Sequence, residues 1–213
     1  MGQGQGHGNA YGQTMHSPDG AFSHLIEGPQ SPAVSLADIK AHVVADDFND
    51  DDALLQDYVD AATGIFDAAG NGYLGRAIIT QRWSLVLGGF PASGHFDLPV
   101  PVAQQVVSIT YYDASNVEQT LSADAYRLTI NGDFASIDLV EGQSWPATYT
   151  RADAVAVLYD AGYGDTDADV PAPLKRSIAI LAAALYNNRI EMGHIPPGVR
   201  QMVAGYRVSR GYF

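Results

Sequence analysis

The hydrophobic spacing of this chain changes period twice, and that change constrains its fold more than any other feature. Leu55, Tyr58, Val59, Ala62, Ile65 and Phe66 recur at helical spacing up to about Ala69. After Gly70, Gly72 and Gly75 the period is two. Ile79, Gln81, Trp83, Leu85 and Leu87 fall on one side of a strand, and Ile78, Thr80, Arg82, Ser84 and Val86 on the other. Further strand-like runs follow at 96–98, 106–112, 126–130, 136–140 and 154–159. Turn signals separate them: Gly88-Gly89, Pro99 and Pro101, Asp113 to Asn116, Asn131-Gly132 and Trp145-Pro146. Helical character returns only at Leu174. Closely spaced strands with no helix between them imply one antiparallel β-domain rather than βαβ units. The class is therefore α+β.

The flanking helices have their own signals. Ser35-Leu-Ala-Asp38 is a capping box with Asp in place of Glu, and Leu36, Ile39 and Val43 then share a face. An acidic stretch, Asp46, Asp47, Asp50, Asp51 and Asp52, opens the second helix. The third runs from 174 to about 192, with Pro171 and Pro173 suiting its first turn. Its centre is apolar almost all round, which places it between other elements or between subunits. Ile178, Leu181, Leu185 and Tyr186 are its expected packing residues.

Both ends read differently from the middle. Residues 1–34 carry Gly at 2, 4, 6, 8, 12, 20 and 28 and Pro at 18, 29 and 32, the composition of a flexible arm. The chain then divides into a helical hairpin at 35–75, a β-domain at 76–160, the long helix at 161–193 and a basic, aromatic tail at 194–213. The alternating glycines at 2 to 8 have no strand or helix around them, so they signal flexibility and not a phosphate loop.

Charge sharpens the division. The 213 residues hold 24 acidic and 11 basic side chains, a net of −13 with a pI near 4.5. That total splits into −16 up to residue 191 and +3 after it, from Arg200, Arg207 and Arg210. So acidic a chain is not built to grip phosphates. The longest purely apolar run, 178–185, is too short to span a bilayer. The first 39 residues lack Lys and Arg and have no apolar segment, so no secretory leader is expected. With no cysteine, disulfides, thiol nucleophiles and Cys-based zinc sites are excluded.

No motif for catalysis emerges. Counted from Asp47, an EF-hand loop would need Gly and Glu where Asp52 and Tyr58 stand; from Asp165 it would need them at Val170 and Arg176. Both acidic clusters read instead as helix N-terminal caps. The six histidines, at 7, 16, 24, 42, 95 and 194, form no ligand pair at helical spacing. There is no nucleophile elbow and no P-loop. No enzyme activity, cofactor or metal is expected.

Several strings, in order, resemble the head–tail connector (adaptor) proteins of long-tailed bacteriophages and gene transfer agents. They are Ser35-Leu-Ala-Asp-Ile-Lys40, the stretch 50–58, Gly75-Arg76-Ala-Ile-Ile-Thr-Gln-Arg-Trp83 and Leu98-Pro-Val-Pro101 with the strand at 106–113. Gly142-Gln-Ser-Trp-Pro146, the strand 154–159, Ala161-Gly-Tyr-Gly-Asp165 and Val170-Pro-Ala-Pro-Leu-Lys175 follow, then Tyr186 and Arg189. The resemblance spans about 35–208.

The resemblance implies a small helical bundle with an inserted antiparallel β-domain. It implies a ring of about 12 copies beneath the portal, at the neck between capsid and tail of a virion made in the bacterial cytoplasm. DNA passes through such a ring without specific binding, and a stopper or other neck protein lies beyond it. The C-terminal segment reaches the portal; here Arg200, Tyr206, Arg207, Arg210, Tyr212 and Phe213 carry that role. Rigid aromatics beside forked cations suit an interface hot spot. On this reading, deleting 197–213 leaves a folded protein unable to join portal-containing heads. About 12 copies carry on the order of −150 charges. Those acids line the lumen or merely keep the subunit soluble; both readings stay open. The Gly-rich arm departs from the family pattern, and its Gly content suits extended contacts with a neighbouring copy or the next neck protein. The alternative reading is an acidic β-domain that binds a carbohydrate or receptor. It expects Trp83 and Trp145 in an open groove; the connector reading expects Trp83 in the core and Trp145 packed before Pro146.

Overall fold

A computed structural model describes residues 14–16, 21–43, 49–70, 72–188 and 195–208. Among the described residues the first elements are two short strands, β1 (Thr14–His16) and β2 (Phe22–Glu27), then two helices, α1 (Leu36–Val43) and α2 (Asp52–Phe66). Seven strands follow: β3 (Gln81–Leu87), β4 (His95–Leu98), β5 (Ala103–Tyr112), β6 (Glu118–Thr120), β7 (Tyr126–Asn131), β8 (Phe134–Leu139) and β9 (Val155–Ala161). Two helices, α3 (Ala172–Asn188) and α4 (Pro197–Val203), are the last among the described residues. The architecture is α+β.

All strand pairs are antiparallel. One sheet has the order β1-β2-β3-β9-β5-β6 and the other β4-β8-β7. Alternation decides which side each residue faces. Trp83 and Leu85 of β3, Val157 and Tyr159 of β9, and Ile109 of β5 meet Phe96, Leu98 and Ile137 of the small sheet in one apolar core. A second core is helical: Leu55, Val59 and Phe66 of α2 pack with Leu174, Ile178, Leu181 and Leu185 of α3, Ile39 of α1 and Val199 and Val203 of α4.

Local chemistry sets the element ends. The Ser35 hydroxyl accepts from the Asp38 amide at 3.1 Å, so the Ser half of the capping box forms. Asp51, at the N-cap of α2, makes no cap bond; its carboxylate accepts from the Tyr186 hydroxyl at 2.6 Å instead. Asp46 and Asp47 lie outside the described residues. The second cluster caps only in part. Asp169 accepts from the Thr166 amide and hydroxyl at 3.1 and 2.9 Å, while Asp167 takes Lys175 at 2.8 Å. The strand expected from Ile78 starts at Gln81, because the Ile78 amide donates to the Asp67 carboxylate rather than to a ladder. Gly72 is required where the chain doubles back: a Cβ there would lie 2.3 Å from the Phe66 carbonyl carbon.

Two sequence expectations need correction. Residues 1–34 are not all arm: Phe22–Glu27 pairs with β3 of its own chain, and Ala33 and Val34 are buried in the helical core. Alternation at Ala21, Ser23 and Leu25 carries that strand, but flanking Gly and Pro mask it. Residues 194–213 are not all tail, since α4 seats Val199 and Val203, four apart, in the helical core. Removing 197–213 therefore strips apolar packing and does not spare the fold. Of the two placements expected for the apolar helix, the structure shows the first: Ile178, Leu181 and Leu185 pack among the other helices of their own subunit.

Candidate assembly surfaces

The two cores are joined by buried polar groups on the irregular segment between α2 and β3. Asp67 closes α2, and its Oδ1 accepts from the Ala69 amide at 2.7 Å and Gln81 Nε2 at 2.8 Å. Its Oδ2 accepts from the Ile78 amide and again from Gln81 Nε2, both at 2.8 Å. Burial pushes the Asp67 carboxyl above its ordinary range, against the pull of those donors. Arg76 pairs with Asp67 through the backbone and sends its side chain, 2% exposed, toward the β-domain. There its guanidinium donates to Asp133 Oδ2 at 2.9 Å and to the Tyr163 hydroxyl at 2.6 Å. The same cation lies 5.8 Å from the Tyr206 ring centre. Burial raises the Tyr163 hydroxyl above its usual value, and the nearby Arg76 charge opposes it.

One guanidinium thus ties the hairpin of the small sheet to the C-terminal segment. That segment is fixed further by Arg207, whose guanidinium sits 4.8 Å from the Tyr73 ring, and by the Val208 amide, which donates to the Leu74 carbonyl at 3.0 Å. Tyr206 and Arg207 are therefore engaged by their own subunit up to Val208. Arg200 is exposed on α4 next to Met202, also exposed. Arg210, Tyr212 and Phe213 lie outside the described residues. Tyr186 is half-buried, edge-on to Tyr58 at 6.3 Å.

No family model matches this chain, and no curated protein does. Solved structures do. A chain from the neck of an empty gene transfer agent particle, computed with C6 symmetry, superposes with a TM-score of 0.69 at 24% identity. A chain from the neck of a native particle, computed with C12 symmetry, gives 0.68 at 23%, and one from the virion of a native particle gives 0.71 at 25%. Each match covers 87% of this chain and 96% of the other. The fold is that of a particle-neck chain. The resemblance read from the sequence and the match read from the coordinates thus point to one class of protein.

Against that fold, the surfaces sort clearly. Both tryptophans of the β-domain are packed: Trp83 is fully buried, and the half-buried Trp145 stacks on Phe90 at 4.7 Å with Phe96 at 5.7 Å. No open tryptophan groove results, as the connector reading expects. The surface feature that sequence reasoning missed is the β7–β8 hairpin tip. Ile130 and Phe134, at 55% and 58%, are the most exposed large apolar side chains among the described residues. The signal was available in Asn131-Gly132, a turn flanked by apolar residues, but which of those residues lie outside the core depends on the other sheet. No helix among the described residues is long and apolar enough to cross a membrane.

Proposed function

We propose that this chain is a structural neck protein, a head–tail connector whose copies form a ring of about 12 beneath the portal and let DNA pass. The observation that carries the reading is the shared fold over nearly the whole length of chains from gene transfer agent necks, one of them computed with C12 symmetry. The role is structural rather than catalytic. The portal is reached by the C-terminal segment, with Tyr206 and Arg207 at its root and Arg210, Tyr212 and Phe213 beyond. An acidic body supports passage of DNA, because like charge opposes adhesion to phosphates. A stopper or other neck protein continues the assembly on the tail side. The packing of Trp83 and Trp145 disfavours the carbohydrate- or receptor-binding alternative.

Loss of the chain is expected to leave filled heads and free tails unjoined, counted by electron microscopy of purified particles. A finer cut tests the tail. Ending the chain after Val208 keeps α4 and every described contact of the segment, so the protein folds with an unchanged melting curve. Retention of the truncated chain on portal-bearing heads should fall at least tenfold. Normal yields of tailed particles from that truncation overturn the portal assignment, and joined particles without the chain overturn the neck role.

A further inference from the structure

Two helix faces lie outside both cores and carry opposite charge. On α2, Ala53, Asp57, Asp60 and Gly64 recur at helical spacing on the side turned away from Leu55, Val59 and Phe66. Ala53, Asp57 and Asp60 are exposed, and Asp60 accepts from Gln56 Nε2 at 3.0 Å. On α4, Val199 and Val203 enter the helical core, which leaves Pro197, Arg200, Gln201 and Ala204 exposed along one side. No ion pair among the described residues uses Asp57, Asp60 or Arg200. The chain has no acidic residue after 191, so the segment that holds α4 is basic where the outer face of α2 is acidic.

Placement and shape agree with the charges. α3 packs against both α2 and α4, and those two helices hardly approach each other, so their outer faces belong to different sides of the bundle. Gly64 lies inside α2, where glycine costs helix stability relative to alanine. A Cβ there would meet no atom within 4 Å, so packing in its own subunit gives no reason for a glycine. The open space, beside short side chains at Ala53 and Asp60, lets a helix from outside approach closely.

We propose that α4 of one copy packs across the outer face of α2 of the next copy, with Arg200 against Asp57 and Asp60. The proposal rests on the ring reading above and deepens it. A closed ring of identical chains needs two different, mutually complementary patches on every chain. The two helix faces are such a pair, opposite in charge and set on either helix that flanks α3. Arg200, which the family resemblance assigns to the portal, joins copies of this chain instead.

Charge reversal tests it. Arg200→Glu, and separately Asp57→Arg with Asp60→Arg, should each keep the melting curve and lower the number of copies retained per particle at least tenfold. A mixture of the two variants should restore retention, because copies that alternate around the ring meet opposite charge at every interface. A portal contact for Arg200 predicts no such rescue. A mixture that stays defective therefore overturns the proposal, as does undiminished retention of either variant alone. Gly64→Gln probes the same face without changing charge. It should raise the melting temperature, since glycine is the poorer helix former, and still lower retention at least tenfold. Full retention of that variant overturns the proposal as well. Copy number in wild-type particles separates the two levels: a single copy sinks the ring reading itself, whereas several copies indifferent to these substitutions sink only this interface.

Discussion

The two cores of this molecule use the chain in opposite ways. The β core draws nearly all its residues from one stretch, 81–161, with the β2 strand added at its side. Its neighbours in space are often neighbours in sequence, as in the β7–β8 hairpin. The helical core instead joins 33–79 to 170–203, two segments separated by the whole β-domain. It closes only when the chain returns, so its contacts carry a larger loop-closure cost. What couples them is short: Asp67 on the helical side, Arg76 reaching to the β side, and Gln81 between. The β-domain is an insertion that the helical core depends on, rather than an appendage to it.

The largest effects should come from emptying either core. Trp83→Ala in the β core should cost about 3–5 kcal/mol, and Ile178→Ala in the helical core about 2–5 kcal/mol. Both tryptophans lie in the β half, so their fluorescence reports that half, while far-ultraviolet dichroism reports mainly the helices. In denaturant, the two signals should move together in the wild type and in both variants. Separate midpoints for the wild-type protein break the claim that the cores form one cooperative unit.

Arg76→Met comes next and sharpens the comparison directly. It removes bonds to Asp133 and Tyr163 and the cation beside Tyr206. Asp133 is 46% exposed and regains water, so the loss is about 3 kcal/mol at most, less than an orphaned buried charge would bring. The telling result is in the midpoints: with the link gone, fluorescence and dichroism transitions should part. If they stay coincident, the cores are coupled by apolar contact and not by Arg76.

Sequence was most informative where period is a property of neighbours. α2, β3 and the later strands are legible because alternate or fourth residues share a face regardless of what covers that face. The α+β class and the burial of Trp83 follow from that. Phe22–Glu27 was hidden because its partner, β3, lies about 60 residues away and its flanks look like a flexible arm. α4 was hidden because Pro196, Pro197 and three arginines dominate a segment whose two buried valines are easily overlooked. The exposed hairpin tip was out of reach for another reason: surface exposure is set by which sheet and which helix happen to stop short. Arg76 was legible as part of a family-like string, but its burial and its three partners come from residues 57, 87 and 130 positions further on.

Acid titration separates the junction from the periphery by sign. The raised Asp67 carboxyl lets the folded state hold a proton that the unfolded state releases above about 3.8. Its contribution is therefore full below that value and declines as pH rises through the folded-state value. Asp160 behaves oppositely: its hydrogen bonds from Arg82 hold its carboxyl below 3.8, so its contribution is present above that value and lost as pH falls through the folded-state value. Asp67→Asn should cost about 2 kcal/mol from the mismatched donors. That cost should be greatest in acid and shrink as pH rises, when stability is measured by urea denaturation across the range. A cost that grows with pH sinks the assignment of a raised Asp67.

The smallest effect should come from Glu27, at the outer side of the same sheet. Arg82 donates to both oxygens of Asp160, at 2.8 and 3.1 Å, and reaches Glu27 only at 3.4 Å, where the Glu27 side chain is 62% exposed. The chemistry matches that of Arg76 with Asp133, yet water and salt reach Glu27 freely. Glu27→Gln should thus change stability by less than about 0.5 kcal/mol, and added salt should erase even that. The residue has a second use as a probe. It ends β2, the strand that sequence assigned to the arm, and its Cα pairs with that of Arg82 across a bulge in the ladder. If Glu27→Gln moves the fluorescence midpoint by more than 1 kcal/mol in high salt, electrostatics is not the cause. The end of β2 would then be a structural part of the β core, on a level with the strands of the insertion, and the boundary between arm and domain would move further toward the N-terminus.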